Sequence, residues 1–593
     1  MKPKKHLTVA QRTAVALPPN KHTVVVAVAG AGKTTVLEQR IRTLLAAGYK
    51  DVLVVTFTKK AAANIEQRLS EIPDTMFLGT FHSFCYRTLS DMCPTREQRQ
   101  FITEANEFRL FSWAESIIKR NNYPFDAKSI ISNTQLLFKK GLVPDNWAAL
   151  QDNKILNIAS YQLLEAVHVA GFQFFDELPL DLLVLLKNDA NACGRLAAKY
   201  PIILVDEFQD TDDVQAAILQ LLTIRGAVLF VVGDSSQAIY TWRGCNPKII
   251  DQFSTYFGDA ERVVLDTNFR SKEGILSLGN RLLTDMDANT CMAGVRGSDD
   301  EHITFTRYSN PVTEAAAIAQ RIAQQPKFTD IAVLYRSNAQ SGALESELAK
   351  AGVPFIVSGK ARSFFDLPEV ATILAYLRLA ADPSDLDALR YVWNRPSRFL
   401  KTDWLTQAVG SLANPKALDA VRAVNARKAK GAVQQKGIDA LSAYLAQSNR
   451  PTKPVEAIND IIYRFRYNTY LRELADKSLS RNVEDLQLAV SQLVAIAQDY
   501  TSITALLTHI QFVVALQQQK QAAKPGVTLS TIHAAKGLEF GKVFLIGAEE
   551  GILPHENASD IKEEHRLAYV AVTRAEDELH VSYYEALSRF FVE

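Results

Sequence analysis

Cysteine is scarce in this 593-residue chain: Cys85, Cys93, Cys193, Cys245 and Cys291 are the five, an odd number with no CxxC spacing. That argues against a disulfide framework and against a zinc or iron–sulfur knot, and a reducing, cytoplasmic setting is expected. Long apolar runs are missing too. No stretch reaches the roughly 18 unbroken apolar residues of a membrane-spanning helix. The basic start Met1-Lys2-Pro3-Lys4-Lys5 is followed by polar Gln11, Arg12 and Asn20 where a signal peptide would be apolar. Neither export nor insertion is expected. An excess of one charge sign is absent as well, because Lys plus Arg number 66 and Asp plus Glu 65. No overall field draws the protein to polyanions, so any nucleic-acid site must be a local groove. No short-period repeat and no low-complexity tail is present.

What is present is 47% hydrophobic content over a length too great for one core, which predicts roughly three or four folding units. Apolar runs of strand character recur before helical periods: "HTVVVAVAG", "DVLVVTF", "PIILVDEF", "AVLFVVGD", "ITFTRY", "DIAVLYR" and "KVFLIGAEE". This alternation predicts parallel sheets covered by helices. Two stretches, about 89 to 195 and about 380 to 522, are rich in Leu, Ala, Gln and Lys with few strand signals and read as helical insertions. The second holds a basic stretch, Arg422, Arg427, Lys428, Lys430 and Lys436, with Gly431 and Gly437 nearby. A solvated helix face and contact with duplex DNA are both open readings of it.

The stretch "AVAGAGKTT", Ala27 to Thr35, follows the apolar run Thr23 to Val26. Backbone N–H groups of such a loop and the helix N-terminus after it point at a phosphate. Ala27 stands in place of the pattern's first glycine; Gly30 and Gly32, in a binding loop with Ala29 and Ala31, permit close backbone approach, Lys33 reaches the β- and γ-phosphates, and Thr34 holds Mg²⁺. The run "PIILVDEFQD" ends an apolar strand at adjacent acids Asp206 and Glu207. One acid there can bind the Mg²⁺ shell while the other orients or deprotonates the attacking water.

In this order the chain resembles superfamily 1 DNA helicases of the UvrD/Rep/PcrA type. The resemblance is carried by "LTVAQR", "AVAGAGKTT", "VVTFTKKAA", "GTFHSF", "VDEFQDT", "VVGDSSQAIYTWRG", "LDTNFRS", "LYRSNAQS", "TLSTIHAAKGLEF" and "EEHRLAYVAVTRA". It implies an α/β fold of two RecA-like P-loop NTPase core domains with parallel sheets, each carrying a mainly helical insertion. The expected division is 1–88 with 196–267 as the first core, 89–195 as its insertion, 268–379 with 523–593 as the second core, and 380–522 as its insertion. It also implies ATP and Mg²⁺ at the interface of the cores. Gln11 then reads the adenine edge, Asp206 holds the metal, Glu207 serves the hydrolytic water and Gln237 senses the γ-phosphate. Arg270 and Arg574 are implied as arginine fingers from the second core, with Glu539 as an acidic ATP-site residue. Phe57, His82, Tyr240, Trp242, Arg243 and His533 fall in motifs that face single-stranded DNA in that family. Packing is an alternative for Phe57 and Tyr240, whereas Trp242 beside Arg243 favours stacking on bases.

The implied activity is 3′-to-5′ translocation on single-stranded DNA, with ss/ds junctions as substrates and a nuclease or a repair or replication factor as a possible partner. Three departures from the family pattern limit it. Thr35 and Phe269 stand where an Arg and a Tyr often sandwich the adenine, which predicts weak base discrimination. The second insertion has "NRPSRFLKTDW", Asn394 to Trp404, in place of the family's "RGIG" segment. After "TRAEDELHVSYY" the chain passes almost directly to Ser588-Arg589-Phe590, without the hairpin expected to part strands, so either the wedge forms elsewhere, for example from "GILPHENASD", or unwinding depends on a partner. Competing readings are the motor of a recombination or phage-defence complex, a nucleotide-gated DNA-binding scaffold, and a P-loop small-molecule kinase.

Overall fold

The computed structural model describes residues 7–69, 71–94, 99–103, 105–286, 291–297, 303–358, 363–413, 415–425, 431–447, 453–479, 481–520, 526–558 and 560–592. They form two compact units, Met1–His302 with Ala558–Glu576, and Ile303–Asn557 with Asp577–Glu593.

The first unit is built on strands β1 (His22–Ala27), β2 (Val52–Thr56) and β3 (Phe77–Thr80), a two-residue pair of β4 (Gln100–Phe101) with β5 (Phe172–Gln173), then β6 (Ile202–Val205), β7 (Val228–Gly233) and β8 (Ala260–Leu265). The six-stranded sheet has the order β3-β2-β6-β7-β1-β8, and every neighbouring pair is parallel. Residues of β1, β2 and β6 are almost all buried, because a parallel sheet carries its crossover helices over its faces and its strands become unbroken apolar runs. Between β3 and β6 the described residues are helical from Glu107–Asn121 through Ala190–Lys199, apart from β5. A second short pair, β9 (Thr267–Asn268) with β10 (Ala293–Gly294), and the helices Glu273–Asp285 and Ile561–Val572 complete the unit. The four-part division expected from the sequence cuts the chain elsewhere. Residues 268–302 and 558–576 cluster with the first sheet because Asn268 and Tyr569 hydrogen-bond to the backbone of Ala29 after β1.

The second unit has the sheet order β11-β16-β15-β12-β14-β13, with β11 Ile303–Arg307, β12 Ile331–Tyr335, β13 Phe355–Val357, β14 Val527–Thr531, β15 Phe540–Leu545 and β16 Ala575–Tyr583. Between β13 and β14 the described residues form helices from Pro368–Ala381 to Ile503–Lys520, and one apolar core runs unbroken from this insertion into the sheet. Asn394 to Trp404 is anchored there by Arg398, whose buried Nη1 donates to the carbonyls of Val392 at 2.7 Å and Trp393 at 3.1 Å. Of the basic stretch, Arg422 and Lys436 are exposed, and Arg427, Lys428 and Lys430 lie outside the described residues. After β16 the chain folds back on the loop beyond β15. Ser588 N donates to Ala548 O at 2.9 Å, Tyr584 N and Glu585 N both donate to Glu549 Oε2 at 3.0 Å, and Arg589 pairs with Glu550 at 2.6 Å.

Candidate nucleotide site and nucleic-acid face

Strand β1 delivers the chain to the loop Val28–Gly32 at the carboxyl edge of the first sheet, where open α/β sheets bind ligands. The helix Lys33–Ala46 begins at once, with Gly32 left-handed at φ 81° as its N-cap. Gly30, at φ 70°, has no room for a side chain, since a Cβ would sit 2.6 Å from Asn268 Nδ2. That nitrogen donates to Ala29 O at 2.7 Å, while Asn268 Oδ1 accepts the amides of Arg270 and Ser271, each at 2.8 Å. Phe269 N donates to Gly30 O at 3.0 Å. Buried Asn268 therefore latches the "NFRS" segment to the phosphate loop. On the other side Gln11 caps its own helix by accepting Thr8 N at 2.9 Å and donates Nε2 to Ala31 O, also at 2.9 Å. The amide expected to read adenine is thus already partly committed to holding the loop, with one Nε2 hydrogen left over.

Lys33 Nζ is buried without a hydrogen-bond partner, and Glu207 Oε2 is 3.9 Å away. A desolvated ammonium with so little compensation is costly unless an anion arrives. That orphaned cation, above a loop whose glycines expose backbone N–H groups, fits a nucleotide polyphosphate. Thr34 and Thr35 occupy the same first helical turn, half-buried.

Asp206 leaves β6 with its amide donated to Val55 O at 2.9 Å. Burial raises its carboxyl's pKa well above the usual range, neighbouring Glu207 adds to the rise, and Lys33 opposes it. Glu207 is left-handed at φ 50°, a conformation that costs a non-glycine residue about 1 to 2 kcal/mol and that clusters at functional sites. Its carboxylate is held by buried Gln209, whose Nε2 donates at 2.6 Å while its Oε1 accepts Asp234 N at 2.9 Å. Asp234 in turn accepts Gln237 Nε2 at 2.5 Å, and Gln237 Oε1 accepts Arg574 Nη2 at 3.2 Å. Burial raises the Asp234 carboxyl too, again against the pull of Lys33. Arg574 is 1% exposed and also donates Nε to Val570 O at 3.0 Å. Arg270 Nη1 donates to Thr573 O at 2.9 Å. Lys33, both acids, Gln237 and both arginines therefore stand in one compact unit, whereas the sequence assigned the arginines to a second core. Among the described residues no group of three His, Cys, Asp or Glu side chains could hold a metal by itself. A Mg²⁺ on Thr34 and Asp206 fits only if the nucleotide's own oxygens complete its shell.

Aromatic groups follow β2, at Phe57, and lie in the loop beyond β7, at Tyr240 and Trp242. Phe57 and Tyr240 stack at 4.9 Å and 23°, and the Arg243 guanidinium lies over Tyr240 at 5.1 Å and Trp242 at 4.7 Å. Trp242 is 63% exposed, unusual for so large an apolar ring and suited to a base. Phe57 and Tyr240 pack on each other and stay half-buried. His82 is turned to Asp176, 3.8 Å away, with Lys139 3.6 Å from the same carboxylate. Although burial pushes that carboxyl up, His82 and Lys139 bring it net below its ordinary value. His533, two residues beyond β14, and the exposed Glu539 before β15 belong to the second unit.

Residues 7–258 match the UvrD/REP helicase N-terminal domain and residues 263–586 the UvrD-like helicase C-terminal domain. The chain belongs to the UvrD/REP helicase family. This UvrD-like protein is 32% identical over 629 residues to DNA helicase II of Escherichia coli (strain K12), covering 97% of its own length and 84% of that protein. It is 30% identical over 601 residues to the ATP-dependent DNA helicase PcrA of Bacillus subtilis (strain 168), covering 93% and 79%. Against the ATP-dependent DNA helicase Rep of Buchnera aphidicola the identity is 29% over 638 residues, covering 97% and 94%. As a family member it is an ATP-hydrolysing DNA helicase. No helix among the described residues of this helicase is long and apolar enough to cross a membrane.

Proposed function

We propose that this helicase is a cytoplasmic motor that moves 3′ to 5′ on single-stranded DNA, hydrolysing ATP with Mg²⁺ as it shifts its grip. One observation carries the reading: the orphaned ammonium of Lys33 stands 3.9 Å from Glu207, and from Glu207 a hydrogen-bonded path runs through Gln209, Asp234 and Gln237 to Arg574, in the unit that also presents Phe57, Tyr240, Trp242 and Arg243. In this reading Lys33 binds the phosphates, Thr34 and Asp206 hold the metal, and Glu207 takes a proton from the attacking water. Gln237 senses the γ-phosphate and Arg270 and Arg574 stabilise the charge that develops on the transferred phosphoryl. Bound Mg²⁺ would supply charge neutralisation on the β- and γ-oxygens. Gln11 and Phe269 complete the nucleotide site, and His82 extends the DNA face. The division into two RecA-like cores, each with a helical insertion, is part of the same proposal. A nuclease or a repair or replication factor is the partner class that suits it.

Strand displacement assays on 3′- and 5′-tailed duplexes test polarity, with the 3′ tail as the productive one. Because residues 584–589 are pinned to the loop at 548–550 rather than projecting as a pin, translocation on single strands is expected to be efficient and unwinding of long duplexes modest. Processive unwinding by the isolated chain is the outcome that refutes this. Base discrimination offers a second check. With Thr35 in place of a stacking Arg and Gln11 partly committed to Ala31, kcat/KM for ATP and GTP should agree within about tenfold. A strict ATP preference would show that other groups read the base.

A further inference from the structure

The helix Ile561–Val572 leads directly to Arg574, and its opposite end holds the loop that carries the exposed aromatic face. Arg566 Nε donates to Ala238 O at 2.5 Å, with Nη2 3.4 Å from the helix's own N-cap, Asp560. Glu563, one turn earlier, is buried with its Oε1 unpartnered; burial raises its carboxyl to about 7, and Arg566 and the nearby backbone amide of Thr241 oppose the rise. Ala238 and Thr241 bracket Tyr240, and Thr241–Arg243 is the 3₁₀ turn that presents Trp242. At the far end Arg574 donates to Gln237. Two side chains from one helical segment, eight residues apart on a single face, thus grip Ala238 and Gln237, with Glu563 on the same face beside Thr241. None of this is needed to hold the helix in place, since its apolar face, with Leu567, Ala568 and Val572, is already buried.

The geometry points to Arg566 as a positioning residue that fastens the aromatic loop to the helix leading to Arg574, so that DNA stacked on Tyr240 and Trp242 sets the Arg574–Gln237 contact. The inference deepens the proposed function and rests on it. A hydrogen bond to a charged side chain, once removed, leaves a buried carbonyl or amide unpaired, an effect large enough for about a tenfold change.

The test is steady-state ATP hydrolysis with and without an unstructured oligothymidylate. For Arg566→Ala, kcat with DNA should fall about tenfold or more, while DNA-free kcat and the KM for ATP stay within about twofold of wild type and oligothymidylate Kd within about threefold. Arg566→Lys, which retains one donor for Ala238 O, should recover part of the stimulation. If Arg566→Ala does not fold, the pair Arg566→Gln and Arg566→Met decides, because the amide can still donate toward Ala238 O and the thioether cannot. Stimulation equal to wild type in Arg566→Ala or Arg566→Met overturns the proposal, as does an equal fall with and without DNA. A wild-type protein that DNA does not stimulate overturns the functional reading itself, a failure recognisable because no variant is involved.

Discussion

Arg574→Ala is expected to lower kcat for DNA-stimulated ATP hydrolysis by about 10³- to 10⁵-fold, the effect typical of a guanidinium that meets transition-state charge on a phosphoryl group. A competing account makes Arg574 a structural ion, since it is almost fully buried and already bonded to Gln237, Val570 and Thr573. The two accounts differ in what Arg574→Lys does. A lysine keeps the charge and can keep one of these bonds, which would restore a structural role in large part, but it lacks the planar fork that spans several oxygens. Turnover should therefore stay low in Arg574→Lys while its melting temperature approaches wild type. Stopped-time phosphate release and a thermal melt on the same preparations read both quantities. Wild-type turnover in Arg574→Ala would remove the residue from the site.

Much of this site was legible in the chain because its signals are local. "GAGKTT" places two glycines, a lysine and a hydroxyl within one turn, and "ILVDE" ends a buried strand at its acids, so spacing alone carries the chemistry. The central strands were legible for the same reason, as unbroken apolar runs. Other strands were not. β8 is an edge strand with only Leu265 fully buried, β3 is four residues long, and the first half of β16 is "AEDE", which reads as solvated surface. The residues that hold the site together were missed on different grounds. Gln209, Asn268 and Tyr569 act on partners distant in the chain, Asp234 for the first and Ala29 for the other two. Asn and Gln inside loop motifs give no periodic signal, and nothing near Tyr569 marks it apart from an ordinary core tyrosine. The same long-range bonds explain why the unit boundary falls after Glu576 rather than before residue 268.

Lys33→Ala is expected to abolish measurable ATP turnover, yet its effect on the folded protein without nucleotide has two opposed parts. Removing the ammonium relieves a buried cation that has no hydrogen-bond partner, a gain in stability. It also takes the Lys33 counter-charge from Asp206 and Asp234, whose carboxyls burial already pushes up, and so favours their protonated forms. A raised acid weakens folding as pH rises through the interval between its unfolded and folded pKa, since the unfolded chain then binds fewer protons. The variant should accordingly melt close to wild type near pH 6 and fall below it toward pH 8, where those acids must ionise unpaired. Nucleotide separates the two proteins further. A ligand at 100 times its Kd adds about 2.7 kcal/mol to the stability of a protein that binds it only when folded. Wild type should show that rise in melting temperature with a non-hydrolysable ATP analogue, and Lys33→Ala little or none of it at the same concentration. Equal stabilisation of both would mean that the buried ammonium serves something other than phosphate.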